Sequence, residues 1–143
     1  PVQHSPEKRW LQQADCRLRR WAPDPLLYNR VHFGESRLHY ELSRVARRDA
    51  WEIGFHFESG DKQLNRYLLI GFRQHLFEIK DTLGESFEAE MWDKGWTKIY
   101  EVIPAAGYTP VHQAQIGRRM AEVITCLHPI FVDLRSLAAS VKR

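Results

Sequence analysis

Sulfur is scarce in this chain: two cysteines and two methionines in 143 residues. Cys16 and Cys126 lie in helix-like stretches without ligand-spaced partners. That excludes a disulfide framework and a thiolate zinc site, and a reduced, cytoplasmic chain is expected. Apolar residues nowhere run for the about 18 positions that a membrane-spanning helix needs, and no signal-peptide pattern is present. Glycine-rich phosphate loops, the Gly-x-Ser-x-Gly elbow and His-Glu-x-x-His are also missing, which removes three standard chemistries. Cys126 and His128 are two apart on a helical stretch, a spacing that aims them in different directions. No cofactor and no membrane partner are expected. The first residue is Pro1 rather than methionine, as in a processed product or a piece of a longer protein.

What is present suits one domain over residues 1–143. An apolar content of 43% with 27% charged residues is ordinary for a globular protein with a single core. The formal charge of +3 is unevenly spread. Residues 1–50 hold ten Lys/Arg against six Asp/Glu, residues 51–108 six against ten, and residues 109–143 five against two. Basic flanks around an acidic middle fit a nucleic-acid surface or intramolecular complementarity, and the second is the commoner meaning of blocks this diffuse.

Periodicity gives the order of elements. Ser5-Pro6-Glu7 is a helix start, and apolar Trp10, Leu11, Ala14, Leu18 and Trp21 mark a helix to about Trp21, broken by Pro23 and Pro25. Arg30 to Phe33 is a short strand. From Arg37 to Glu58 the period changes to two, with Leu38, Tyr40 and Leu42 on one strand and Trp51, Ile53, Phe55 and Phe57 on the next. Leu64, Leu68, Phe72, Leu76, Ile79 and Leu83 then recur at helical spacing, predicting one helix from Asp61 to Gly84. Phe87 to Ile103 reads as a second hairpin turning at Asp93-Lys94-Gly95. A helix opens at Thr109-Pro110 and is interrupted at Pro129, and a shorter one follows to about Val141. The expected fold is α+β: a mostly antiparallel sheet of two hairpins with helices packed on one face, in the order α-(β)-ββ-α-ββ-α-α.

Three patterns bear on chemistry. Glu78-x-Lys80 matches the tail of a metal-dependent nuclease signature, with Asp61, Glu58 or Asp49 as the upstream acid. On a strand both side chains would share a face, whereas on a helix they diverge by about 160° the shorter way round. The helical stripe therefore argues against catalysis by Asp61, Glu78 and Lys80, which stays the alternative. His75 and Glu78 have the spacing of helical carboxylate-bridged metal sites but lack partner helices. The third pattern lies on the polar face of the first hairpin. A four-residue turn at positions 46 to 49 pairs Ser43 with Glu52, Glu41 with Gly54, His39 with His56 and Arg37 with Glu58. Two histidines then stand cross-strand with Glu41 and Glu58 beside them, able to hold a metal or move a proton. The sequence favours the plainer reading, a solvated strand face whose alternate positions are simply polar.

Other binding candidates are Trp92 and Trp96, with Tyr100, as stacking surfaces, though aromatics in strands more often serve core or cross-strand packing, and Arg47, Arg48, Arg118 and Arg119 as phosphate contacts that form no recognised nucleic-acid motif. Ile70 and Phe77 form a second apolar stripe on the central helix, which the last helices or a second subunit in a homodimer would cover.

From Leu38 to about Leu127 the chain resembles a family of uncharacterised bacterial domains, found alone or fused to restriction-nuclease-like modules. The resemblance is carried by Trp51-Glu52-Ile53, Leu83-Gly84-Glu85, Phe87-Glu88-Ala89-Glu90, Trp92, Gly95 and Ile99, and above all by the order of elements. It implies an α+β fold and an association with nucleic-acid-handling or defence proteins, with no catalytic set to carry over. The expected function is a binding or assembly module, possible partners being a protein, a second copy of the chain or nucleic acid. A metal-dependent nuclease and a self-associating structural protein are the alternatives.

Overall fold

Strands form where apolar and polar residues alternate, because alternate side chains on a pleated strand point to opposite faces. The computed structural model describes residues 29–45, 48–105 and 109–141. The helix expected from Ser5 to Trp21, and Arg47, lie outside these. Five strands, β1 (Asn29–Val31), β2 (Leu38–Arg44), β3 (Ala50–Phe57), β4 (Glu88–Met91) and β5 (Thr97–Pro104), make one sheet in the order β1-β2-β3-β5-β4. Every neighbouring pair is antiparallel, so the fold is α+β with an antiparallel sheet. The β2–β3 register pairs Ser43 with Glu52, Glu41 with Gly54 and His39 with His56, the register that the turn length predicts.

One sheet face is apolar. Tyr40, Leu42, Trp51, Ile53, Phe55, Phe57 and Ile99 on it are all at most 1% exposed. The helices α1 (Lys62–Gln74), α2 (Leu76–Leu83) and α3 (Pro110–Val141) supply the other half of the core. Asp61 caps α1 by accepting from the N–H groups of Gln63 and Leu64 at 3.0 and 3.3 Å. Phe72 stacks on Phe57 with centroids 5.4 Å apart, and Phe131 of α3 meets Phe55 at 4.9 Å. Gly71 lets α3 come close: a Cβ there would lie 2.6 Å from Leu134 Cδ2.

Two helix boundaries differ from expectation. The single helix predicted from Asp61 to Gly84 is two, divided at His75, whose N–H bonds to Phe72 O at 3.1 Å in a tightened turn. Neither Pro nor Gly marks position 75; the break belongs to packing, which buries both Phe72 and Ile79 completely. Conversely, α3 runs through Pro129 as one helix. Proline removes one i→i−4 bond, but Ile124 and Leu127 before it and Phe131 and Leu134 after it are all buried on the same core, which holds both halves in line.

At the sheet's edge, the Arg73 guanidinium donates from Nε and Nη2 to Ala89 O of β4 at 3.1 and 3.0 Å, occupying an edge carbonyl. Among the described residues nothing covers the Ile70/Phe77 stripe: the two residues are 47% and 87% exposed. No described helix is long and apolar enough to cross a membrane.

Candidate functional site

The opposite sheet face is polar and nonetheless buried. Positions 52, 54, 56 and 58 share it on β3 and its continuation, as do 39 and 41 on β2, by the two-residue period of a strand. Glu58 N–H donates to Arg37 O at 2.9 Å, carrying the pairing one step past β3. His39, Glu41, His56 and Glu58 are 1%, 8%, 3% and 8% exposed, so this is not the solvated face of the plainer alternative.

Each imidazole is held through one nitrogen. His39 Nδ1–H donates to Ser36 O at 3.0 Å, and His56 Nε2–H donates to Glu52 Oε2 at 2.9 Å. The other oxygen of Glu52 accepts from Lys98 Nζ at 2.6 Å. The inward nitrogens, His39 Nε2 and His56 Nδ1, hydrogen-bond the carboxylates of Glu41 and Glu58. His39 Nε2 lies 3.2 Å from Glu41 Oε1 and 3.6 Å from Glu58 Oε2. His56 Nδ1 lies 3.1 Å from Glu58 Oε2 and 3.8 Å from Glu41 Oε2. The rings lie nearly parallel, centroids 5.8 Å apart. One donor atom from each of the four residues falls within 4.8 Å of the other three, the spread of a set that can hold one metal ion.

Electrostatics favour a positive charge at the centre. For His56, burial opposes the protonated form, but the hydrogen bonds to Glu52 and Glu58 and the nearby charges outweigh it, raising the pKa to about 9. Burial likewise pushes the Glu41 and Glu52 carboxyls up, and their hydrogen bonds and cationic neighbours more than reverse this, so both end below the usual range. Arg30 Nε, donating to Glu41 Oε1 at 3.2 Å, is one of those neighbours.

A rim of larger groups borders the cluster. Trp92, 42% exposed, meets His56 edge-on at 5.8 Å. Trp96 packs on Trp92 at 5.3 Å, and Lys98 Nζ lies over both Trp92 and Tyr100. Gly54 is the floor, where a Cβ would stand 2.6 Å from Tyr100 Cβ and 2.7 Å from Ile99 O.

The remaining sequence candidates do not converge. Glu78 and Lys80 lie on α2; Glu78 reaches back to His75 at 3.4 Å, and Lys80 pairs with Glu88 at 3.7 Å. Asp61 is the cap of α1, and Asp49 pairs with Arg44 at 2.6 Å. Arg119, read as a phosphate contact, instead holds the buried Glu101 at 2.5 and 3.0 Å and also donates to Leu83 O. Arg48 and Arg118 are exposed and far apart in the chain.

Sequence reasoning passed over Glu52 and Lys98. Glu52 was legible, four residues before His56 on the same strand face. Lys98 was not, because the β3–β5 register that sets it opposite His56 joins segments 42 positions apart. Comparison with protein-family models, curated proteins and solved structures gives no match.

Proposed function

We propose that this chain is a binding module whose working part is the buried polar face of the sheet, and that the ligand held there is a cation. One observation carries the reading. Two imidazole nitrogens, each ring already donating through its other nitrogen, point at carboxylate oxygens inside a nearly dry cluster. The inward nitrogens hydrogen-bond Glu41 and Glu58 at 3.2 and 3.1 Å, so the buried carboxylate charge is balanced by imidazole protons until a cation of higher charge displaces them. The acid-x-lysine alternative lacks this support, since Glu78 and Lys80 pair with different partners. A wider role as an accessory of nucleic-acid-handling machinery rests on the resemblance in element order alone; retention on DNA that falls with salt tests it.

The cation reading is tested by thermal shift of the full chain against alkali, alkaline-earth and transition-metal ions, guanidinium and polyamines. A ligand at 100 times its Kd stabilises by about 2.7 kcal/mol, enough to move Tm by several degrees. The shift is expected to vanish in the double variant Glu41→Gln/Glu58→Gln and to persist in Glu78→Gln/Lys80→Met. No shift from any cation, or one that survives in the first variant, sinks the reading.

A further inference from the structure

Resting on that reading, we infer that the cation is a single divalent transition-metal ion, coordinated by His39 Nε2, His56 Nδ1 and the carboxylates of Glu41 and Glu58, with Glu52 as the positioning residue for His56. The inward distances are longer than those of the closest ion pairs and near those between ligands of one metal. Charge-assisted hydrogen bonds between imidazolium and carboxylate are about 2.7–2.9 Å long. The contact from His56 to Glu52 at the edge of the cluster has such a length, 2.9 Å, and the Lys98 ammonium sits closer still to Glu52 at 2.6 Å. The four inward contacts are longer, at 3.2, 3.6, 3.1 and 3.8 Å. A tetrahedral site with metal–ligand bonds of about 2.1 Å has donor atoms about 3.4 Å apart; the four inward distances lie on either side of that value, two of them to different oxygens of Glu41, and the whole set, within 4.8 Å, draws in on binding.

The outer contacts add a second, independent mark. A metal-bound histidine normally donates its other N–H to a carboxylate or a backbone carbonyl, which fixes the tautomer and aims the ring. Both forms occur here: His39 Nδ1–H on Ser36 O, and His56 Nε2–H on Glu52, itself held by Lys98. Charge also closes once the ion displaces the imidazole protons: two carboxylates and two neutral imidazoles around a divalent ion sum to zero in a buried site.

Donor type narrows the ion. Two nitrogens exclude magnesium and calcium, which take oxygen ligands, and the lack of sulfur disfavours thiolate-seeking ions. Imidazole with carboxylate suits zinc, iron(II), manganese(II), cobalt(II) and nickel(II). All four ligands are protein side chains and nearly fully buried. That is the closed form of site, in which the metal ties β2 to β3 rather than presenting an open position to a substrate.

The test is titration of the chelator-stripped full chain with cobalt(II) and zinc(II), read by visible absorption and by metal competition. One ion per chain is expected, with an absorption spectrum typical of tetrahedral cobalt. Glu58→Gln and His56→Gln should each weaken binding at least 100-fold. Glu52→Gln should weaken it 10–100-fold while keeping one-to-one stoichiometry, and Glu52→Asp should restore part of the loss. Should these variants misfold, X-ray absorption of the zinc-loaded wild type decides the matter, with two imidazole ligands and no sulfur expected. Failure to bind any of these ions, or a different ligand count, overturns the metal assignment. If instead an organic cation shifts Tm and loses its effect in Glu41→Gln/Glu58→Gln, the binding-module reading stands and only the metal falls.

Discussion

Glu52 and His56 stand four residues apart on the same face of β3, and the carboxylate accepts a hydrogen bond from the imidazole Nε2–H at 2.9 Å. A strand repeats its face every two residues, so the pair straddles Gly54, the one position between them whose missing side chain leaves the floor clear. The second oxygen of Glu52 is fixed from a different strand by Lys98. The aim of the ring at position 56 is thereby set by β3 and β5 together.

Lys98→Met should therefore destabilise the protein although no ligand atom is touched. The ammonium is mostly buried beside an equally buried carboxylate, and losing a hydrogen bond to a charged group costs about 1.5–3 kcal/mol. Urea unfolding of the metal-free protein is the measurement. A change below about 0.5 kcal/mol would show that Glu52 needs no second anchor.

Gly54→Ala should cost more than about 2 kcal/mol, because the added methyl meets β5 backbone and the Tyr100 Cβ rather than a flexible side-chain end. It should also disturb the neighbouring cluster. In the metal titration, a loss of affinity together with the loss of stability is the expected signature.

His128 gives the fold a pH dependence away from the candidate site. Tyr40 Oη donates to its Nδ1 at 3.1 Å, and burial pushes its pKa from 6.5 down to about 4. The unfolded chain therefore binds the proton first. The stability from keeping this ring neutral is complete above about pH 6.5 and is lost as pH falls toward 4, by at most about 3 kcal/mol. His128→Phe should flatten that part of the stability–pH curve. It should also lower stability at pH 7, since the buried Tyr40 hydroxyl loses an acceptor. An unchanged slope would place the titration elsewhere.

Arg119 and Phe77 should behave in opposite ways from what surface chemistry suggests. Arg119→Met leaves the carboxylate of Glu101, 2% exposed, with the Ser86 hydroxyl at 2.9 Å but no cation, and should cost about 3 kcal/mol. Phe77→Asp removes a large aromatic but one that is 87% exposed, so folding stability should stay within about 0.5 kcal/mol. Sedimentation of the same variant tests self-association: a wild-type oligomer that the change dissolves would assign the Ile70/Phe77 stripe to a second copy.

Local signals were read well where they act alone. The alternation through Leu38–Leu42 and Trp51–Phe57, the short polar turn and the cap at Asp61 each depend on neighbours within a few residues, so the first hairpin, its register and the start of α1 were legible. His39, Glu41, His56 and Glu58 were grouped by that register. The break at His75 and the continuity through Pro129 are not legible locally, because both set a local preference against the burial of Phe72, Ile79, Ile124 and Phe131. Arg119 was misread for a related reason: a charged residue on a helix looks like surface until the strand carrying Glu101 is placed beneath it.

By itself the sequence determined the α+β class, the greasy side of the first hairpin and the opposition of two histidines, since pleat and turn length are properties of adjacent residues. Only tertiary structure decided that the polar side is dry, that β5 lies between β3 and β4, and that Lys98 reaches Glu52. Those outcomes depend on which distant segments exclude water from one another, and that free energy is summed over the whole packed chain.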